Sequence, residues 1–397
     1  MPLLGARLRP LFAVLFGVFV LYGVSMTIIG ATLPRILADF HWDYVTAGAV
    51  IAAGAVAYFL STFAAGWLVK HVGAKATLVL GFAFEIVGVG FFGTVGDPWI
   101  NFALSFLIGV GQGCFEVALN WATLRVDTAN SGRPMSVMHG AFAVGAIAGP
   151  FLLGFLTGIG SHWVVLYRLL AALFAVLAAV LLLMPMHLSA EPEPEAATPR
   201  VGLSARPAYW LSFVVLFLYV GVELGLSNWV AEYFSKTFRF DAASASLMVS
   251  VFWAGVLAGR FGVPALLRGV SPEALLKRFC VLATVAALAL PAFNLVPGFE
   301  GLAWIAVVFV FLAGLGASIV YPSVMTLIGI CFPRDQSRVV GFAATGGGVG
   351  AFLFPFAMAA MAQLWGLTWG FAAYGVFAVL MTVAAFALTA AARRQRG

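Results

Sequence analysis

Residues 99–124 read WINFALSFLIGVGQGCFEVALNWATL. The stretch is 26 residues long and carries a single charge, Glu116. A helix needs about 20 apolar residues to cross the hydrocarbon of a bilayer. This stretch therefore predicts a membrane helix with a carboxyl inside it. The composition agrees: of 397 residues, 63% are hydrophobic and 9% charged, with a mean hydropathy of +1.06. A soluble domain is near half apolar and a quarter charged. Lipid is the expected solvent.

The same rule predicts twelve spans, at 11–33, 46–69, 76–96, 99–124, 134–158, 163–186, 208–234, 243–266, 274–296, 302–331, 339–364 and 368–391. The fold class expected is an all-α integral membrane protein. Basic residues test the count, because spans alternate sides. Arg7, Arg9, Lys70, Lys75, Arg125, Arg133, Arg200, Arg206, Arg268, Lys277, Arg278, Arg334, Arg338, Arg393, Arg394 and Arg396 fall on one side, and Arg35, Lys236 and Arg239 on the other. This bias places both termini in the cytoplasm. Arg168 and Arg260 remain inside spans. The net charge of +6 follows topology, so nucleic acid is not an expected partner. Arg7 and Arg9 lead straight into a span too long for a signal peptide.

The longest hydrophilic segment, 187–207, is rich in Pro, Glu and Ala and reads as a flexible linker. It divides the chain into bundles at 1–186 and 208–397, each of six spans. Such a repeat predicts a binding site where the bundles meet, near mid-membrane. Cys114, Cys280 and Cys331 lie in apolar runs and read as small core residues. The sequence shows no nucleotide-binding loop, metal-ligand spacing or catalytic triad. Neither enzyme activity nor a cofactor is expected, and the protein is expected as a monomer.

The twelve spans, the central loop and a short basic turn after span two resemble the major facilitator superfamily. Gly66 to Lys75, GWLVKHVGAK, is similar to that superfamily's Gly-x-x-x-Asp-x-x-Gly-Arg-Lys loop, with Lys70 where the Asp stands. A narrower resemblance is to the fucose:proton symporter and related hexose transporters. It rests on GQGCFEVALN (111–120), SVMHGAFAVGAIAGP (136–150) and LYVGVELGLSNWVAEYF (218–234). The resemblance implies a proton-coupling role for the acid at Glu116 and a home in a bacterial inner membrane. The family's second acid, in span one, is missing from LYGVSMTIIGATLP (21–34).

Gln112, Glu116 and Asn120 are spaced i, i+4, i+8 and form one polar stripe on a helix. An ionised acid at a helix centre costs about 2.5–3.5 kcal/mol on insertion scales. Desolvation disfavours the charged form of a carboxyl, which suits a group that loads and releases a proton. Span seven repeats the pattern with Tyr219, Glu223 and Ser227, followed by Asn228 and Trp229. Glu223 is expected either to supply the acid that span one lacks or to pair with Arg260.

Sugar hydroxyls need donors and acceptors, expected from Gln112, Asn120, Asn228 and Tyr321. The ring's C–H face needs a flat apolar wall, with Trp229 preferred over Trp121 and Trp253. His139 and Glu85 are expected to make structural hydrogen bonds, and Glu232 to be wet. Gly346, Gly347, Gly348 and Gly350 read as close helix packing. The function expected is proton-coupled uptake of a small polar solute, a hexose first. The alternative is proton-coupled export of amphipathic compounds, cued by Gly145, Gly149 and Pro150. Sodium coupling is also open, since a lone carboxylate with amide and carbonyl oxygens can hold a monovalent cation.

Overall fold

The computed structural model of the protein describes residues 8–126, 133–186, 202–267, 269–295, 302–332 and 336–395. Among them there is no strand, and twelve stretches are helical, long and apolar enough to cross a membrane. The helices are α1 (Arg9–Phe40), α2 (Tyr44–Val72), α3 (Ala74–Phe91), α4 (Pro98–Val126), α5 (Arg133–Gly158), α6 (Val164–Leu183), α7 (Pro207–Thr237), α8 (Ala242–Leu266), α9 (Pro272–Leu295), α10 (Ala303–Ala317), α11 (Val320–Cys331), α12 (Gln336–Trp365) and α13 (Leu367–Arg394). Most of the expected linker, together with Arg7, Arg200, Arg268, Arg334 and Arg396, lies outside the described residues.

Two expected boundaries change. Span one runs to Phe40, past Pro34 and Arg35. A charge is expected to end a span, but Arg35 is satisfied in place: Nη1 donates to the Ala242 carbonyl at 2.7 Å and Nη2 to Thr157 Oγ1 at 2.6 Å. Span ten is two helices, α10 and α11, interrupted at Ser318 and Ile319. Pro322 has no N–H to donate to the Ser318 carbonyl, and the Ser318 side chain bonds back to its own helix, its hydroxyl donating to the Leu315 carbonyl at 2.6 Å.

The chain forms two compact units. The first takes the described residues within Met1–Glu191 together with Asp241–Ser250. The second takes those within Pro192–Phe240 and Val251–Gly397. The first turns of α8 thus join the first unit, where a bundle of 208–397 was expected whole. Hydrogen bonds account for it. Arg35 also donates to Ser246 Oγ at 2.9 Å, Ser246 Oγ to the Ala31 carbonyl at 2.8 Å, and Ser250 Oγ to the Ile147 carbonyl at 2.8 Å.

In the first unit α1 packs on α5 and α2 on α4; in the second α7 packs on α12. Small residues allow the close approach. A Cβ on Gly145 would collide with the Val20 carbonyl, and one on Gly350 with the Phe217 carbonyl. Gly346 does the same work against Phe213. Gly73, at φ 88°, joins α2 to α3 with no further residue between them, a backbone conformation that suits glycine. In the basic turn around it, Lys75 Nζ donates to the carbonyls of Leu182 and Met184 at 3.0 and 2.8 Å, tying the turn to the end of α6.

Large apolar side chains stand on the outside, among them Leu183 at 88% and Trp99 at 78% exposure. In water such surfaces would aggregate; against acyl chains they are in their own solvent. The spans with Glu116 and Glu223 are the most inward, each with 61% of its most apolar stretch buried, against 33% for α6.

Candidate functional site

In the first unit the α4 stripe faces α1. Glu116 is half-buried, and its two oxygens are held from different helices. Tyr22 OH, on α1, donates to Oε2 at 3.1 Å, and Asn120 Nδ2, on α4 itself, donates to Oε1 at 2.8 Å. Tyr22 is itself fixed edge-on against Phe142, with ring centroids 5.1 Å apart. One turn back on α4, Gln112 Nε2 donates to Ser25 Oγ, on α1, at 3.0 Å. As α1 climbs from Tyr22 to Ser25, α4 descends from Glu116 to Gln112. The two helices run antiparallel, so these contacts form successive rungs.

The remaining atom of interest is Asn120 Oδ1. It is buried and accepts no hydrogen bond from the described residues. A buried acceptor left open costs about 1–3 kcal/mol, and this one stands beside an ionisable acid. Glu85, on α3, is wholly buried, and Ser25 Oγ lies 3.0 Å from each of its oxygens. A purely structural role is the expectation for Glu85 from sequence; its contacts place it in the same cluster as Gln112 and Glu116.

In the second unit Glu223 is buried on α7. Tyr219 OH, one turn earlier, donates to its Oε1 at 2.6 Å. Arg260 Nη2, on α8, stands 4.0 Å from the same oxygen, so the pairing with Arg260 is realised. A small cavity of about 10 Å³ adjoins them, lined by Tyr219, Glu223, Leu226, Phe252 and Met381 among others. That is the room of about one water molecule. Ser227 is buried and accepts from Trp253 Nε1 at 2.8 Å.

The other expected solute contacts are dispersed. Asn228 is half-buried and lies one helical step round from Ser227. Trp229 is 0% exposed, so its ring offers no open face in this conformation. Tyr321, on α11, is exposed at 39%. His139 is exposed and its ring lies 6.0 Å from that of Phe19. Glu232 departs from expectation: it is fully buried rather than wet, with Lys236 Nζ 4.0 Å from its carboxylate. The long lysine stem lets the ammonium reach the surface while the acid stays inside.

Sequence reasoning missed Tyr22, Ser25 and Tyr374. Tyr22 and Ser25 are polar residues three apart in an apolar run, the same kind of signal that exposed the α4 stripe. Tyr374 OH is buried without a hydrogen-bond partner among the described residues, and its ring lies where a Cβ on Gly225 would fall. Among the described residues no group of three or more His, Cys, Asp or Glu could hold a metal ion.

Known proteins resemble the chain along nearly its whole length. The sequence pattern of the Major Facilitator Superfamily matches residues 15–329. A TsgA homolog protein from Yersinia enterocolitica is 22% identical over 341 residues, covering 84% of each chain. The crystal structure of a D-xylose-proton symporter superposes with a TM-score of 0.77 at 13% identity, covering 95% of this chain and 97% of the other. That of a single-residue variant of the Escherichia coli fucose:proton symporter gives 0.64 at 19% identity, covering 97% and 99%. A POT family transporter and a nucleoside transporter share the fold as well.

Proposed function

Because this chain belongs to the Major Facilitator Superfamily, whose members similar to it are multi-pass membrane transporters rather than enzymes, we propose that it takes up a small polar solute together with protons. The observation that carries this reading is the setting of Glu116. It is an acid at membrane depth, half-buried, with its oxygens held by the neutral donors Tyr22 and Asn120. Such donors can hold a carboxyl in either protonation state, because hydroxyl and amide groups rotate or exchange roles. Glu116 loads a proton when it faces one side, and releases it when it faces the other. Glu223 serves as the second acid.

The solute class rests on the open acceptor of Asn120 beside this acid, and on the sugar symporters among the structural neighbours. A hexose hydroxyl fits that acceptor. Gln112 contributes through Ser25, and the solute contacts of Tyr219, Ser227, Asn228, Trp229 and Tyr321 form as the second unit changes conformation. The excess of basic residues on one side supports a topology with both termini in the cytoplasm, and the bacterial symporter among the structural neighbours supports a bacterial inner membrane as this chain's home.

The test has two stages. Thermal melting of the purified protein is screened against D-xylose, fucose, other hexoses, nucleosides and amphipathic drugs. Stabilisation by a hexose is expected; stabilisation by drugs alone turns the reading towards export. The stabilising solute is then followed into proteoliposomes under an imposed pH gradient. Glu116→Gln is expected to abolish accumulation above equilibrium while leaving exchange of bound solute. Undiminished pH-driven accumulation by this variant rules out the role given to Glu116, and accumulation that follows sodium instead of pH replaces the proton as coupling ion.

A further inference from the structure

Glu85 has no exposed surface. Both of its oxygens lie 3.0 Å from one atom, Ser25 Oγ, and among the described residues it makes no ion pair and no other hydrogen bond. The titratable groups on its own helix and those around it are Lys75 on α3, Arg9, Tyr22, Arg35 and Asp39 on α1, Tyr44, Tyr58, Lys70 and His71 on α2, Cys114, Glu116 and Arg125 on α4, and Tyr167 and Arg168 on α6. Among the described residues none of these cations pairs with Glu85: Arg35 and Lys75 are held as described above, and Arg168 is taken up elsewhere. Its guanidinium donates to the carbonyl of Phe92 at 3.1 Å and to Thr94 Oγ1 at 2.8 Å, beyond the outer end of α3. A buried carboxylate with no counter-charge is far costlier than one hydroxyl can offset. The acid is therefore held with its proton.

Counting hydrogens leads to the same state. Ser25 has one hydrogen. Facing an ionised Glu85, it would have to serve two oxygens at equal distance. Facing a neutral acid, Ser25 donates to the carbonyl oxygen and accepts from the carboxyl O–H, one hydrogen for each contact. The Ser25 oxygen has one more acceptor position, and Gln112 Nε2 fills it at 3.0 Å. The Ser25 hydrogen, the carboxyl hydrogen and one Gln112 N–H then each have an acceptor.

We propose that Glu85 is a further proton-carrying acid of the transport cycle, beside Glu116 and Glu223, loaded in this conformation and linked to Glu116 through Ser25 and Gln112. The inference rests on the proton coupling assigned above to Glu116. Ser25–Gln112 and Tyr22–Glu116 are neighbouring rungs between the same two helices. A movement of α1 along α4 that changes the donors of Glu116 must also take Ser25 from Glu85. Once Ser25 turns away and water reaches the acid, Glu85 gives its proton to that water and is left ionised.

The sequence makes room for this arrangement. A Cβ on Gly111 would stand 2.7 Å from Glu85 Cγ, so the GQG segment of α4 provides both the space for the acid and the amide that holds its partner. A mere helix contact at this depth would be filled more stably by leucine, which needs neither.

The experiment reads protonated carboxyls directly and needs no solute. Purified protein is stepped from mildly acid to alkaline pH, and the C=O stretch of protonated carboxyl groups is followed by infrared difference spectroscopy. Wild type is expected to lose one signal absent from Glu116→Gln and a second absent from Glu85→Gln. Ser25→Ala is expected to shift the frequency and the titration midpoint of the second, and to a smaller extent the midpoint of the first. A Glu85 signal that is missing, or that persists unchanged through the alkaline range while the protein stays folded, overturns the proposal. Should Glu116 titrate and Glu85 not, this inference fails while the coupling at Glu116 stands; should neither titrate, both fall. Thermal melting checks that each variant folds. If Glu85→Gln does not, Ser25→Ala and Gln112→Leu decide: no shift of any protonated-carboxyl signal in either variant overturns the proposal.

Discussion

The two units bury their acids in opposite ways. In the first, Glu116 and Glu85 are held by hydroxyl and amide groups, most of them from other helices: Tyr22, Ser25 and Asn120. In the second, Glu223 is held by Tyr219 from its own helix and faces the guanidinium of Arg260 at 4.0 Å. A neutral donor favours the ionised form of a carboxyl modestly, and a hydroxyl can turn to accept from the neutral form; a full cation favours the ionised form far more strongly. At Glu85, which pairs with no cation among the described residues, protonation is left free to follow access to water. At Glu223 it is tied to the position of α8, which carries Arg260.

The largest expected effect separates the two arrangements. Arg260→Met should cost about 3 kcal/mol of stability, since it strands a buried carboxylate, and adding Glu223→Gln should restore most of the loss in thermal melting. A double variant as unstable as Arg260→Met alone would mean that Arg260 supports the fold by packing. Next comes Ser25→Ala, which removes the hydrogen-bond partner of a fully buried acid and should cost about 2 kcal/mol. Equal melting of this variant and wild type would remove the first unit from the comparison.

Tyr22→Phe should cost about 1 kcal/mol. Glu116 keeps Asn120 and its partial access to solvent, so the fold should tolerate the change better than the loss of Ser25. The smallest effect is a control outside both sites. Asp43 caps α2, accepting from the Thr46 N–H at 2.7 Å, and the bonds from Thr46 hold its carboxyl below the ordinary aspartate value. A carboxyl depressed on folding stabilises above its unfolded value, about 3.9, and the contribution is lost as pH falls through the lower folded value. Asp43→Asn should therefore melt within about 0.5 kcal/mol of wild type at neutral pH, since Asn caps as well as Asp. It should lose less stability than wild type in acid. If it loses as much, the acid sensitivity arises from other carboxyls.

The twelve spans and the acids within α4 and α7 are legible in the amino-acid order alone. Hydropathy is a sum over neighbours in the chain, and a helix places residues i and i+4 on one face whatever surrounds it. The same local logic puts Tyr219 beside Glu223 and Asn120 beside Glu116. It cannot supply anything carried by a partner distant in the chain. It ends α1 too early, because the groups that satisfy Arg35 come from α5 and α8. It takes Glu232 for a wet acid and Trp229 for an open wall, although both are buried. It gives Glu85 a structural hydrogen bond but cannot name the partner, because a lone acid on α3 shows no stripe of its own. Only the register of α1, α3 and α4 brings Ser25 to that acid and Tyr22 to Glu116. Register is decided by the fit of small residues between whole helices, where a shift of one turn, about 5.4 Å, would give every acid a different partner.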